Sequence, residues 1–332
     1  MICAMRSVLV LVGLVSACGS SDLPKPPPPP HRDAGADTDG GPRSVDLQVV
    51  HLDEPVVELP KLDSFTLLDP GKGDRATLRY ELKTGSASYF VVTKLASRRQ
   101  IANKWSQRVE LPPLRDGFAV AVAADPKAPV AFRGLPREVV GGKATPEADQ
   151  YIASWHALLD GRRFMLGLDP RGQLGAFAFA DDPNNSHPEA KDEAGERLLG
   201  TIVPVPDEPI AIGGQWRVVT IMRQRPAVVK QIATYTLKAR TATRWTIEVD
   251  MRRIAPEQTV ADPGLPKDVT ADLVAMVRHY KGTLQIDPHQ PLPISGQLSV
   301  DSLIHLRLTA KTRKMDEQLF EDVGTLTVSS SP

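Results

Sequence analysis

Seven histidines and two cysteines are the scarce chemistry of this chain. His156 stands four residues before Asp160, helical spacing that brings an imidazole and a carboxylate side by side. One of each predicts a surface pair, since a zinc site needs three or four ligands. His187 sits among Asp181, Asp182, Glu189, Asp192, Glu193 and Glu196. Crowded carboxylates raise one another's pKa and could act as general acid and base, but Pro183, Asn184, Asn185 and Pro188 mark the stretch as an irregular, solvated charge run. No G-x-S-x-G elbow and no H-E-x-x-H pair occurs. Gly71, Gly73 and Ala76 have dinucleotide-loop spacing, yet Pro70 precedes them and an alternating strand follows where a helix N-terminus would have to meet the pyrophosphate. A turn is expected there. Gly142 and Lys143 are followed by Ala144 where a phosphate loop needs Ser or Thr, and Arg137 holds the place of its leading glycine. Asp37, Asp39 and Gly40 open like a calcium loop, but the spacing fails at Gly35 and no glutamate closes it. No catalytic residue, cofactor or metal is assigned, and a non-enzymatic role is favoured.

The remaining reactive group is the thiol of Cys18. Arg6 supplies a positive n-region, Val8 to Val15 a short apolar run, and Ser16 and Ala17 the small residues required before a signal-peptidase cut. The run is shorter than the ~20 residues that span a bilayer. Val15, Ser16, Ala17 and Cys18 in order resemble the lipobox of bacterial lipoproteins. The resemblance implies cleavage between Ala17 and Cys18, acylation of the Cys18 sulfur, and a membrane anchor of two or three chains, because one chain alone holds only marginally. Gly19 and Ser20 lack the aspartate that retains such proteins in the inner membrane, so an outer-membrane address is expected. The plainer alternative is an ordinary cleaved signal with Cys18 as an incidental thiol. Cys3 would leave with the signal, so the mature chain could hold no disulfide.

Residues 18–44 read as a linker. Pro26 to Pro30 predict a stiff polyproline II post, and His31 to Pro42 show no apolar periodicity. Residues 45–332 can bury a sizeable core, with halves at 65–200 and 201–332. Forty basic and forty acidic residues balance, which removes the electrostatic case for nucleic acid or for a polybasic grip on lipid.

Period-two alternation predicts strands. Leu78, Tyr80 and Leu82 alternate with polar residues, as do Trp245, Ile247 and Val249, then Ile304, Leu306 and Leu308, then Leu326 and Val328. One apolar and one wet face per strand indicates antiparallel sheets covered on one side. Two stretches predict helices. In the first, Thr145 caps, Pro146 starts, and Tyr151, Ile152, Trp155, Leu158 and Leu159 form a stripe before Gly161. The second is Lys267 to Lys281, with Val269, Leu273, Val274, Val277 and Tyr280 on a stripe before Gly282. Each predicted helix is followed by a strand, an Asp-Pro turn (Asp169-Pro170, Asp287-Pro288) and a further strand, so the chain holds either an internal duplication or two similar hairpins.

The segment Val203 to Trp216, V-P-V-P-D-E-P-I-A-I-G-G-Q-W, resembles the signature of an uncharacterised domain family of bacterial envelope lipoproteins, through Pro206, Pro209, Ile210, Ile212, Gly213 and Trp216. It implies no activity and no catalytic residue. More loosely, the strand pattern is similar to lipoprotein carriers of the LolA and LppX kind. Physically, Gly213 and Gly214 permit a turn that side chains disfavour, and Trp216 then opens a strand as a core anchor. The expected fold is mainly β, an antiparallel, strongly curved sheet or incomplete barrel with two packed helices. The expected role is binding of a hydrophobic or lipid ligand by an envelope protein anchored to the membrane. The alternative is a structural or interaction lipoprotein with a filled core and an envelope protein partner.

Overall fold

A computed structural model describes residues 61–101, 103–123, 130–141, 144–179, 188–224, 227–260, 269–310 and 313–331. The signal segment, Ala17, Cys18, the proline post and the Asp37 to Gly40 stretch lie outside these residues, as do His187, Asp181, Asp182, Gly142 and Lys143.

Among the described residues the first half of the chain forms β1 (Lys61–Asp69), β2 (Gly85–Ile101), β3 (Lys104–Trp105), β4 (Val109–Glu110), β5 (Leu114–Val122), β6 (Val130–Val139), α1 (Pro146–Leu158), β7 (Arg163–Leu168), β8 (Leu174–Phe179) and α2 (Pro188–Thr201). There follow β9 (Gln215–Gln224), β10 (Ala227–Arg240), β11 (Trp245–Ala255), β12 (Gln258–Val260), β13 (Val269–Ile286), β14 (Ser295–Ala310) and β15 (Arg313–Ser331). All fifteen strands join one antiparallel sheet that does not close. Its order is β1-β9-β10-β11-β13-β14-β15-β2-β5-β6-β7-β8, with β12 beside β13 and with β3 and β4 beside β2.

The sheet curves strongly. Asp116 of β5 and Gln224 of β9 line one cavity although seven pairings separate their strands. In a flat sheet that interval would be about 34 Å. Glycines let the long strands bend: a Cβ on Gly282 would lie 2.0 Å from the Gln297 carbonyl oxygen, and one on Gly324 would lie 1.9 Å from that of Lys94.

Own side chains fill the two ends of the trough. At one end Leu78 and Tyr80, with Val203, Val205 and Ile210, pack on Trp216, Tyr235, Trp245 and Ile247. At the far side of the sheet Phe118, Phe132, Phe164 and Phe179 cluster with Trp155 and Leu159, and α2 adds Ala190, Ala194 and Leu198. Phe132 and Phe164 stack with centroids 5.1 Å apart.

The first predicted helix is α1: the Thr145 side chain accepts from the Ala148 N–H at 3.3 Å, Pro146 starts it, and Gly161 follows with φ +71°. The second is not a helix. The part of Lys267 to Lys281 that is described belongs to β13, paired to β11 and β14. A register shift between Leu273 and Ala275 slips the phase by one residue, so Ala271 and Leu273 face the core before it and Met276 and Tyr280 after it. Two out-of-phase strand runs imitate a helical stripe, and hydrogen bonding on both edges decides for strand. Conversely, the charge run predicted as a solvated loop forms α2 from Pro188 onward, because Ala190, Ala194 and Leu198 recur at helical spacing and are fully buried.

Leu78 to Lys83 keeps its alternating burial but lies outside the sheet. Its amides turn instead to the two Asp-Pro turns: Tyr80 N–H donates to the Pro170 carbonyl at 2.7 Å and Glu81 N–H to that of Pro288 at 2.9 Å. The hairpins of the suspected duplication are thus both present, β7-β8 and β13-β14, but α1 precedes one and a continuous strand forms the other.

Candidate functional site

On each strand across the middle of the trough, an inward position that the alternation reserves for an apolar residue carries a polar one, and these positions align. Thr220 faces Gln231, Gln231 faces Arg253, and Arg253 faces Arg278. Arg278 in turn faces Ser302, Ser302 faces Asp322, and Asp322 faces Ser97. The row divides two apolar fields, with Ala233, Met251, Tyr280 and Val300 on one side and Val229, Ala255, Met276 and Ile304 on the other. It is largely buried, Arg253 being 3% and Ser302 1% exposed. Buried polar groups require partners.

Helix α2 supplies several. Arg253 donates from Nη1 to Glu196 Oε1 at 3.0 Å, from Nη2 to the Glu196 carbonyl at 3.2 Å, and from Nε to Gln231 Oε1 at 2.9 Å. Gln224 donates to Glu196 Oε1 at 2.7 Å, and Gln231 to the Leu199 carbonyl at 3.1 Å. A second junction joins the helices to β5 and β6. Arg137 donates from Nε and Nη2 to Asp116 Oδ2 at 2.9 and 2.6 Å, and Arg197 bonds Glu193 at 3.3 Å. Both guanidinium groups lie over the Trp155 ring, at 4.4 and 5.4 Å from its centroid.

Between these junctions the helices and the concave face leave a partly enclosed cavity of about 210 Å³. Val91, Leu95, Leu298, Val300, Leu326 and Val328 give it an apolar floor. Tyr151 and Gly200 line it from the helices, and Arg278, Ser302 and Asp322 from the row. Burial raises the pKa of Glu196 despite the opposing pull of Arg253. Burial also raises that of Tyr151, reinforced by Asp322. For Arg197 burial works against the charge, but Asp116, Glu193 and Glu196 outweigh it and keep the group firmly cationic.

Three of the four guanidinium groups have carboxylate partners here. The fourth, Arg278, donates from Nε to Ser302 Oγ at a long 3.4 Å. Burial works against its charge, but Tyr280, also a side-chain hydrogen-bond partner, together with Glu196 and Asp322 outweighs it, although no carboxylate lies at salt-bridge distance among the described residues. Asp322 likewise makes no hydrogen bond or salt bridge among the described residues, although its field reaches Arg278 and Tyr151. Among the described residues, Gln224 Oε1, at the cavity, and Ser97 Oγ, at the end of the row, are buried without a hydrogen-bond partner.

Of the residues singled out from the sequence, Glu193 and Glu196 of the charge run line the cavity from α2, and the other described ones below lie elsewhere. Gly213 takes φ +88° and its N–H donates to the Leu237 carbonyl at 2.7 Å. Trp216 is fully buried, donates to the Pro204 carbonyl at 2.7 Å and stacks on Tyr235, so it anchors the filled end of the trough and does not line the cavity. His156 and Asp160 pair at 2.7 Å with the imidazole 76% exposed, a surface contact. Gly71 closes a turn on Asp69 Oδ1 at 2.8 Å with φ +77°. The row carries a signal in the sequence, polar residues in an apolar phase: Arg253 follows Trp245, Ile247, Val249 and Met251 in step, and Ser302 sits between Val300 and Ile304. Alternation alone does not show that these positions align across strands.

No protein-family model and no curated protein matches this chain.

Proposed function

We propose that this chain is a lipid-anchored protein of the bacterial envelope that binds one hydrophobic, acyl-type ligand in the cavity beneath α1 and α2. The observation that carries the reading is the space itself. The aliphatic side chains of Val91, Leu95, Leu298, Val300, Leu326 and Val328 continue the packed core around Trp216 and Tyr235 and face a space of about 210 Å³ under the helices. Close-packed cores leave few voids larger than a water molecule, so a space of this size over an aliphatic floor is better suited to a ligand than to a core filled by its own side chains. The lipobox-like Val15 to Cys18 segment and the proline post support the address: acyl chains at Cys18 would hold the domain at the membrane, with the outer membrane favoured.

The test is native mass spectrometry of protein recovered from a bacterial envelope, followed by titration of the stripped protein with fluorescent acyl probes. A bound mass in the acyl-lipid range and saturable probe uptake are expected. Uptake should be lost on filling the floor by Val300→Phe or Val328→Phe, with circular dichroism confirming that the variants fold. A ligand-free protein indifferent to every probe would instead favour an interaction protein.

A further inference from the structure

Resting on that reading, we infer that the ligand is a single-chain amphiphile with a zwitterionic head, its anionic group held by Arg278 and its ammonium by Asp322. Three observations point there.

The first is the pairing arithmetic of the row. Arg253, Arg197 and Arg137 each have a carboxylate, in Glu196, Glu193 and Asp116. Arg278 and Asp322 are the two charged side chains of the cavity left without a direct ionic partner among the described residues, and they flank Ser302 on neighbouring strands. Both line the cavity and are partly buried, so a ligand bringing the complementary pair of charges gives each the direct ionic contact that the described residues do not.

The second is spacing. Two strand intervals set the backbones of Arg278 and Asp322 about 9–10 Å apart. Arg278 reaches over the Ser302 strand position, with Nε 3.4 Å from Ser302 Oγ, so its guanidinium and the Asp322 carboxylate border the cavity side by side and a compact head can address both from the cavity. A purely anionic head would satisfy Arg278 but lie against Asp322, and an uncharged head would satisfy neither.

The third is volume. About 210 Å³ is below the roughly 300–1,000 Å³ of a drug-sized ligand site, enough for much of one acyl chain and too little for a two-chain lipid. The apolar floor of Val300, Leu298 and Leu326 begins one inward position from the row, so a chain can leave the head directly onto it.

Lysophosphatidylethanolamine and palmitoylcarnitine carry the two sources of such a head, phosphate and carboxylate. Lysophosphatidic acid and monopalmitoylglycerol are the anionic and neutral controls. Calorimetric titration of the full chain should rank at least one zwitterion about tenfold or more above both controls, and the better zwitterion identifies the anion. Arg278→Gln should weaken zwitterion and lysophosphatidic acid alike by about tenfold, with Arg278→Lys restoring part of the loss. Asp322→Asn should weaken the zwitterion yet leave lysophosphatidic acid unchanged or tighter, an opposite response that misfolding cannot produce. Acyl ligands that bind with no regard to head charge or to either substitution overturn the head-group assignment and leave the cavity reading standing. Failure of all four ligands and of the acyl probes overturns both.

Discussion

Arg253 of β11 meets Glu196 of α2 at 3.0 Å, and this contact ties the polar row of the sheet to the helix above the cavity. Both groups are largely buried, the Arg253 side chain being 4% and that of Glu196 17% exposed. A buried pair of this kind adds little net stability, yet removing one partner strands the other. Arg253→Met should therefore cost about 3–5 kcal/mol in urea unfolding, tempered where Glu196 takes up a proton. Glu196→Gln keeps an acceptor for Arg253 and Gln224 and should cost nearer 1 kcal/mol. Equal losses, or the reverse order, would refute the role of Glu196 as the acceptor at this junction.

The same carboxyl makes an unusual pH signature. Burial lifts the Glu196 pKa above its ordinary value of 4.5. On acidification the folded state therefore takes the proton before the unfolded one does. The contribution of this group to stability is lowest at neutral pH, rises as pH falls through the folded pKa, and is complete below the unfolded value. An ordinary ion-paired carboxylate does the opposite. The difference in unfolding free energy, wild type minus Glu196→Gln, is expected to grow as pH falls from 7 toward 4.5; a shrinking difference would mean that Arg253 overrides burial.

Trp155 and Trp216 should differ as reporters. Trp155 packs against Phe118, a wall of the cavity, at 5.9 Å and under two guanidinium groups. Trp216 belongs to the filled end. Ligand-induced change in emission should persist in Trp216→Phe and largely disappear in Trp155→Phe, with stopped-flow or steady-state titration as the readout.

The anchor makes a separate prediction from Cys18. Cys18→Ala should abolish acyl labelling and leave unprocessed precursor on a gel. A mature, lipid-labelled Cys18→Ala protein would show that the acyl chain is attached elsewhere.

Much of the fold was legible because side-chain alternation is a local property. The apolar phases of β11, β14 and β15 show in the sequence, as does α1, whose cap, proline and stripe all lie within one short window. Trp216 as a core anchor was legible for the same reason. Where local pattern was ambiguous, partners outside the segment decided. A one-residue slip at Leu273 turned the phase of β13 into an apparent helix until β11 and β14 satisfied its backbone on both edges. The charged stretch from Pro188 became α2 because Ala190, Ala194 and Leu198 had a core to enter. The candidate site was least legible. Gln231, Arg253, Arg278, Ser302, Asp322 and Ser97 are scattered over six strands, and each alone is one polar residue in an apolar phase. Only register sets them in one row, and only curvature brings that row under Glu196 and Arg197. Register and curvature are properties of the whole sheet, set by pairings between strands far apart in the chain, so no local window of sequence contains them.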